Sequence, residues 1–194
     1  MPLTLVAPVT EADYRAHPAL PLPESFSGDT AIALLNQAWA FLTNWANQPL
    51  TKTTTTEDYP FGTRNCNMTP EGYLNLNPRF GPIISVTSVT YSLDGLTGWT
   101  PCTRFYALRD NIRVYDAPFA RGDVGIVKVS YSSGIDPISD DLKLACFWAV
   151  SLINAAGFLP TQAGIESNPA WLNDDLRNTY FNLRRVMEIY KRRS

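Results

Sequence analysis

Two pairs of adjacent carboxylates, Asp140-Asp141 and Asp174-Asp175, are the first groups that could do chemistry, as metal ligands or as an acid/base couple. On a helix, neighbouring residues point about 100° apart, so neither pair converges on one ion or proton by itself. Both pairs fall where helices are expected to begin, and acids there complement the helix dipole. They are read as helix-start residues. Lys128 and Lys143 could serve as catalytic amines, but each falls on the polar side of its expected element and reads as solvated surface. Trp99 follows an Asp94-Gly95 turn signal and could stack on a sugar, yet a tryptophan opening a return strand is more often a cross-strand packing partner.

The remaining catalytic vocabulary is sparse. The chain has one histidine, His17, which excludes a histidine-based metal cluster or a full His triad within one chain. It contains no Gly-rich phosphate loop of either common spacing, no CxxC, no HExxH and no Gly-x-Ser-x-Gly. Asn67-Met68-Thr69 matches a glycosylation sequon, which carries no weight without a secretory signal. No cofactor or metal site is expected, and the chain does not read as an enzyme.

The one charge asymmetry lies at the C-terminus, where Arg184, Arg185, Lys191, Arg192 and Arg193 fall within the last eleven residues. Cations at a helix end complement its dipole. Here the apolar stripe of the same helix runs on through Met187 and Tyr190, so the last turns are expected to dock on an acidic partner surface or on DNA phosphate.

These residues need elements to hold them. Residues 1–28 carry Pro2, Pro8, Pro18, Pro21 and Pro23 and read as an extended arm that cannot be a regular helix. A helix capped by Ser27 or Asp29 runs to about Asn47, with Ala31, Leu35, Ala38, Leu42 and Trp45 on one face; Ile32, Trp39 and Ala46 widen it, and Pro49 stops it. Thr51 to Thr56 opens a β-rich region over about 51–133. Tyr73–Asn77, Ile83–Tyr91, 103–108, 111–115 and Val124–Tyr131 are its strand candidates, and Val86 and Tyr91 are expected on opposite faces. Two helices close the chain. One covers about 138–157 with Leu142, Ala145, Trp148 or Ala149, Leu152 and Ala156 inward; the other covers about 169–192 with Leu172, Leu176, Tyr180, Leu183, Met187 and Tyr190 inward. The expected class is α+β: a small helical bundle, made of the N-terminal helix and the two C-terminal helices, with an inserted antiparallel β-region. Residues 29–194 form one domain in this reading, with a docking helix at about 169–194.

Composition bounds the rest. The chain has 194 residues, 45% of them hydrophobic and 18% charged, enough for a packed core. A net charge of -2 excludes a bulk-basic nucleic-acid coat and gives no cause for membrane attraction. No apolar run approaches a transmembrane helix, and the N-terminus lacks the pattern of a signal peptide. Three widely spaced cysteines, an odd number, suit a reducing compartment.

The order of three stretches resembles a known family. Pro82-Ile83-Ile84-Ser85-Val86-Thr87-Ser88-Val89-Thr90-Tyr91 is followed by Asp94-Gly95. Val127-Lys128-Val129-Ser130-Tyr131-Ser132-Ser133-Gly134 then leads to Pro137 and Asp141-Leu142-Lys143-Leu144-Ala145. Over about residues 29–157 this is similar to the head–tail connector (adaptor, head-completion) proteins of tailed bacteriophages. The resemblance implies a structural virion protein without catalytic residues. It implies a ring of identical copies, usually twelve, beneath the portal protein, continuing the channel for genomic DNA and offering a surface to tail-side neck or tail proteins. It also implies portal attachment through the C-terminal segment, here Arg184, Arg185, Met187, Tyr190, Lys191, Arg192 and Arg193, with assembly in the host cytoplasm and residence at the head–tail junction. A tail-terminator type of neck component, a carbohydrate-binding module and a small enzyme are the alternatives.

Overall fold

The computed structural model describes residues 7–17, 28–119, 123–156 and 174–191. They belong to two compact units. A helical unit is drawn from the chain up to Leu50 and from Pro137 onward, and a β unit spans Thr51–Asp136. The class is α+β, with antiparallel sheets inserted between helices.

The helical unit contains α1 (Glu11–Arg15), α2 (Gly28–Ala46), α3 (Asp140–Ala156) and α4 (Asp174–Tyr190). Helix α3 packs against both α2 and α4. Accordingly Leu142, Ala145, Cys146, Phe147, Ala149, Val150, Leu152 and Ile153 are all buried, too many for a one-sided helix. In α2 the expected stripe of Ala31, Leu35, Ala38, Trp39, Leu42 and Ala46 is buried, while Ile32 faces outward and Trp45 is half-buried. Trp45 stacks on Tyr180 of α4 with ring centroids 6.2 Å apart. Asn47, at φ 53, turns the chain out of α2 two residues before Pro49.

The leader departs from the extended arm expected over 1–28. Pro8 and Pro18 leave a proline-free window, and within it Thr10 and Asp13 close a capping box: the Asp13 amide donates to Thr10 Oγ1 (3.2 Å) and the Thr10 amide to Asp13 Oδ2 (2.8 Å). Thr10 thereby holds the Asp13 carboxyl below its ordinary pKa. The short helix α1 survives because it is docked. Tyr14, 1% exposed, sets its ring edge-on to Phe147 of α3 at 5.2 Å and shares a hydrogen bond with Ser151 (3.2 Å). Glu11 accepts from Arg15 Nε (2.7 Å) and from the Gly28 amide at the start of α2 (3.0 Å). The other parts of the leader, 1–6 and 18–27, lie outside the described residues.

The β unit holds two four-stranded antiparallel sheets. The first has β1 (Thr53–Pro60), β8 (Ile126–Ser133), β4 (Ile83–Ser92) and β5 (Thr100–Pro101), in that order. The second has β2 (Cys66–Met68), β3 (Leu74–Leu76), β7 (Ile112–Val114) and β6 (Phe105–Ala107). Inward residues of both sheets form one core, including Tyr59, Val89, Val129 and Tyr131 from the first and Cys66, Leu74, Leu76 and Ile112 from the second. Phe119 stacks on Phe61 at 4.6 Å within it.

Strand β4 corrects the expectation that Val86 and Tyr91 face opposite ways. Register shifts between Ile83 and Ser85 and between Val86 and Ser88 each insert an extra residue. The alternation changes phase at each bulge. Val86, Val89 and Tyr91 consequently oppose Tyr131, Val129 and Val127 and turn toward the same core.

Because Leu152 is buried on a helix packed on two sides, Leu152→Ala is expected to cost about 2–5 kcal/mol in denaturant unfolding. A loss below about 0.5 kcal/mol, the ordinary range for surface substitutions, would contradict this packing.

Candidate docking surfaces

The groups singled out for chemistry do not converge. Asp140 and Asp174 are almost fully exposed and, among the described residues, pair with Lys143 (3.1 Å) and Arg177 (3.6 Å) one turn along their own helices. No three metal-ligating side chains meet among the described residues. Lys128 Nζ lies 4.0 Å over the Trp99 ring and 3.8 Å from Asp58, so one face of Trp99 is covered by a lysine of a neighbouring strand. Cys66, Cys102 and Cys146 are buried, and burial pushes each thiol up to about 12.

One carboxylate that the sequence reading passed over, Glu57, does meet other polar groups. It sits on the inward side of β1, where alternation calls for an apolar residue. Its oxygens accept from Tyr131 (2.6 Å), from the Tyr59 hydroxyl and from the Arg79 amide (3.0 Å), while the Phe80 amide donates to Tyr131 Oη (3.2 Å). These bonds tie the 78–82 loop to the sheet.

The expected docking residues of α4 divide. Met187 is fully buried, and Tyr190 is half-buried, with its hydroxyl 2.9 Å from Ser139 Oγ and its carbonyl accepting from Gln48 Nε2 (2.5 Å). The long apolar stripe is thus accounted for by packing within the unit, which corrects the inference that it marks a partner surface. Arg184 is half-buried, Arg185 and Lys191 are exposed, and Arg192 and Arg193 lie outside the described residues. What α4 turns outward is Phe181, Arg185 and Ile189, one stripe at i, i+4, i+8 on the face opposite Leu183 and Met187. Their i, i+4, i+8 spacing is itself visible in the sequence.

The β unit presents three further surfaces. At the end of the first sheet remote from Thr53 and Ser133, Leu93, Leu96 (83% exposed) and Val124 (81%) stand out from adjoining turns. Asp94 shapes that tip. Its carboxylate accepts from the Ser92 and Thr97 hydroxyls (both 2.6 Å) and from the Leu96 and Thr97 amides (both 2.9 Å), which hold it well below the usual carboxylate range. The outer face of the first sheet is hydroxyl-rich, with Thr56 Oγ1 2.8 Å from Ser130 Oγ. The outer face of the second sheet is aromatic and cationic. One rung of its ladder reads Asn67, Asn75, Arg113, Tyr106 across four strands. The Arg113 guanidinium stacks on Tyr73 at 4.9 Å, and Tyr73 leans on Tyr115 at 5.5 Å.

No family model matches the chain. No curated protein matches it in sequence. Among solved structures it is similar to a chain from the neck of an empty GTA (gene transfer agent, phage-like) particle computed with C6 symmetry. The likeness has a TM-score of 0.56 at 15% identity and covers 96% of this chain and 90% of that one, so the two share a fold. No helix among the described residues is long and apolar enough to cross a membrane.

Two outcomes follow from these environments. The three thiols should resist a thiol reagent at pH 8 in the folded protein and react fully in denaturant; stoichiometric labelling of the native protein within minutes would contradict their burial. Asp94→Asn should lower the melting temperature at pH 7. A carboxyl depressed in the folded state contributes stability above its unfolded pKa, near 4, and loses it as pH falls toward the folded value. The gap between variant and wild type should therefore begin to narrow below about pH 4 and go on narrowing as pH falls further; a gap unchanged between pH 7 and pH 3 would contradict this role.

Proposed function

We propose that the chain is a structural component of the neck of a phage-like particle, a ring-forming head-to-tail connector rather than an enzyme. The observation that carries this reading is the shared fold with a neck chain over nearly the whole length of both. The ordered β-strand, turn and helix-start stretches that resemble connector proteins support it independently. So does a surface whose notable features, among the described residues, are exposed apolar and aromatic groups.

In this reading identical copies meet head to tail in a closed ring, because a chain with two different contact faces closes by rotation. Twelve copies, the number the resemblance implies, are compatible with the six-fold symmetry applied to the GTA neck. The ring lies beneath the portal, extends the DNA channel and offers its other end to tail-side proteins. A chain of net charge -2 suits a passage through which DNA slides, since a basic lining would hold phosphate. Copies are made in the host cytoplasm and end in the virion. Portal attachment falls to the end of α4, with Arg184, Arg185, Lys191, Arg192 and Arg193 as the charged rim. Phe181 and Ile189 take the apolar part that Met187 and Tyr190 were expected to play.

The test is binding of the full chain to an isolated portal ring, followed by sedimentation. Replacing Arg185, Lys191, Arg192 and Arg193 by Gln should slow association at low salt and flatten its salt dependence. Phe181→Ala with Ile189→Ala should shorten the residence time while the fold persists. Truncation at 184 is the wrong probe, because it removes Met187 from the core. Absence of portal binding, together with tight DNA binding at about 0.15 M salt that the Gln substitutions abolish, would overturn the reading.

A further inference from the structure

We infer that copies of this chain contact one another sheet to sheet, the outer face of the second sheet (β2-β3-β7-β6) of one copy lying on the outer face of the first sheet (β1-β8-β4-β5) of the next. The inference rests on the ring reading above and names the surfaces that would close the ring.

The second sheet carries an unusual load for a solvent face. Tyr106 is 60% exposed and Tyr115 44%, with Tyr73 and Arg113 half-buried beside them and Asn67 and Asn75 completing the rung. Tyrosine and arginine are the residues that most often carry binding energy, and asparagine supplies adaptable hydrogen bonds. Tyrosine also orders at low entropic cost, having two side-chain torsions. Arg113 is held in place by the Tyr73 ring, so its fork is pre-positioned and loses little freedom on meeting an acceptor.

The first sheet offers the complement. Its outward side has Thr56, Ser130, Thr90, Asp58 and Lys128: hydroxyls with one carboxylate and one lysine on the ladder. Asp58 is more than half exposed, and its nearest cation, Lys128, stands 3.8 Å away while also covering Trp99. A loose exposed pair of this kind is worth little, so Asp58 is free to exchange Lys128 for an arginine of a neighbour. The core of the unit lies between the two sheets, so their outer faces point in opposite directions. Unlike faces on opposite sides of one unit make a heterologous contact, which propagates head to tail and closes when the rotation permits.

The experiment measures self-association of the full chain by sedimentation velocity up to about 1 mM, the weakest contact worth naming, with circular dichroism as the control for folding. Tyr106→Ala and Arg113→Glu are each expected to weaken association at least about tenfold, the loss typical of a central contact residue. Asp58→Arg alone should do the same, and combining Asp58→Arg with Arg113→Glu should restore association. Wild type that stays monomeric throughout, or oligomers that none of these substitutions weakens, would overturn the inference. Substitutions that leave self-association intact but abolish binding to the portal ring would also overturn it, by giving the tyrosine face to another neck protein. Portal binding by wild type, measured separately, decides the neck reading in every one of these cases.

Discussion

The antiparallel pairing of β1 with β8 is the contact on which the rest of the architecture depends. It sets Thr53 opposite Ser133, so the segment from Thr51 to Asp136 begins and ends at one place. An insertion whose ends meet leaves the helices before and after it free to pack with each other. The approach is close enough to dictate residue type. Gly134 has φ 114, and a Cβ there would lie 2.2 Å from the Thr51 carbonyl oxygen. No side chain fits, and few residues would accept that backbone. The Lys52–Asp136 pair at 3.2 Å adds little, being exposed at both ends.

Within the insertion, core formation and surface formation are the same act. Alternation on β8 and bulge-shifted alternation on β4 send Val127, Val129, Tyr131, Ile83, Val86, Val89 and Tyr91 to one core, while Ile84 stays exposed. What remains outside is hydroxyl-rich on one sheet and tyrosine-rich on the other. The polar Glu57 breaks the alternation and is tolerated because two tyrosine hydroxyls and a backbone amide satisfy it. The helical unit follows the same logic. Its central helix α3 spends nearly all its faces inward, and α4 buries one stripe and keeps Phe181, Arg185 and Ile189 for the outside. In the proposed reading, function lies in those outward faces.

Much of this was legible in the sequence. Helices α2, α3 and α4 show as apolar periodicity, the strands as alternation between Thr, Val and Ile, and the Asp94 turn as an Asp-Gly pair. These are local signals, in which the residue type and the backbone state are linked within a few positions.

Other features were settled by contacts between distant residues. A capping box of Thr10 and Asp13 is weak by itself and becomes helix α1 because Tyr14 finds Phe147 and Ser151 far along the chain. The bulges in β4 follow from a register set by β8, which no pattern within β4 specifies. Met187 and Tyr190 looked like a docking stripe because periodicity reports that a helix has an apolar face without saying what lies against it. The sequence determined which residues are apolar together, since that depends only on their order. Only the tertiary structure decided whether such a face is spent on the core or left for a partner, because that depends on which distant elements arrive to cover it.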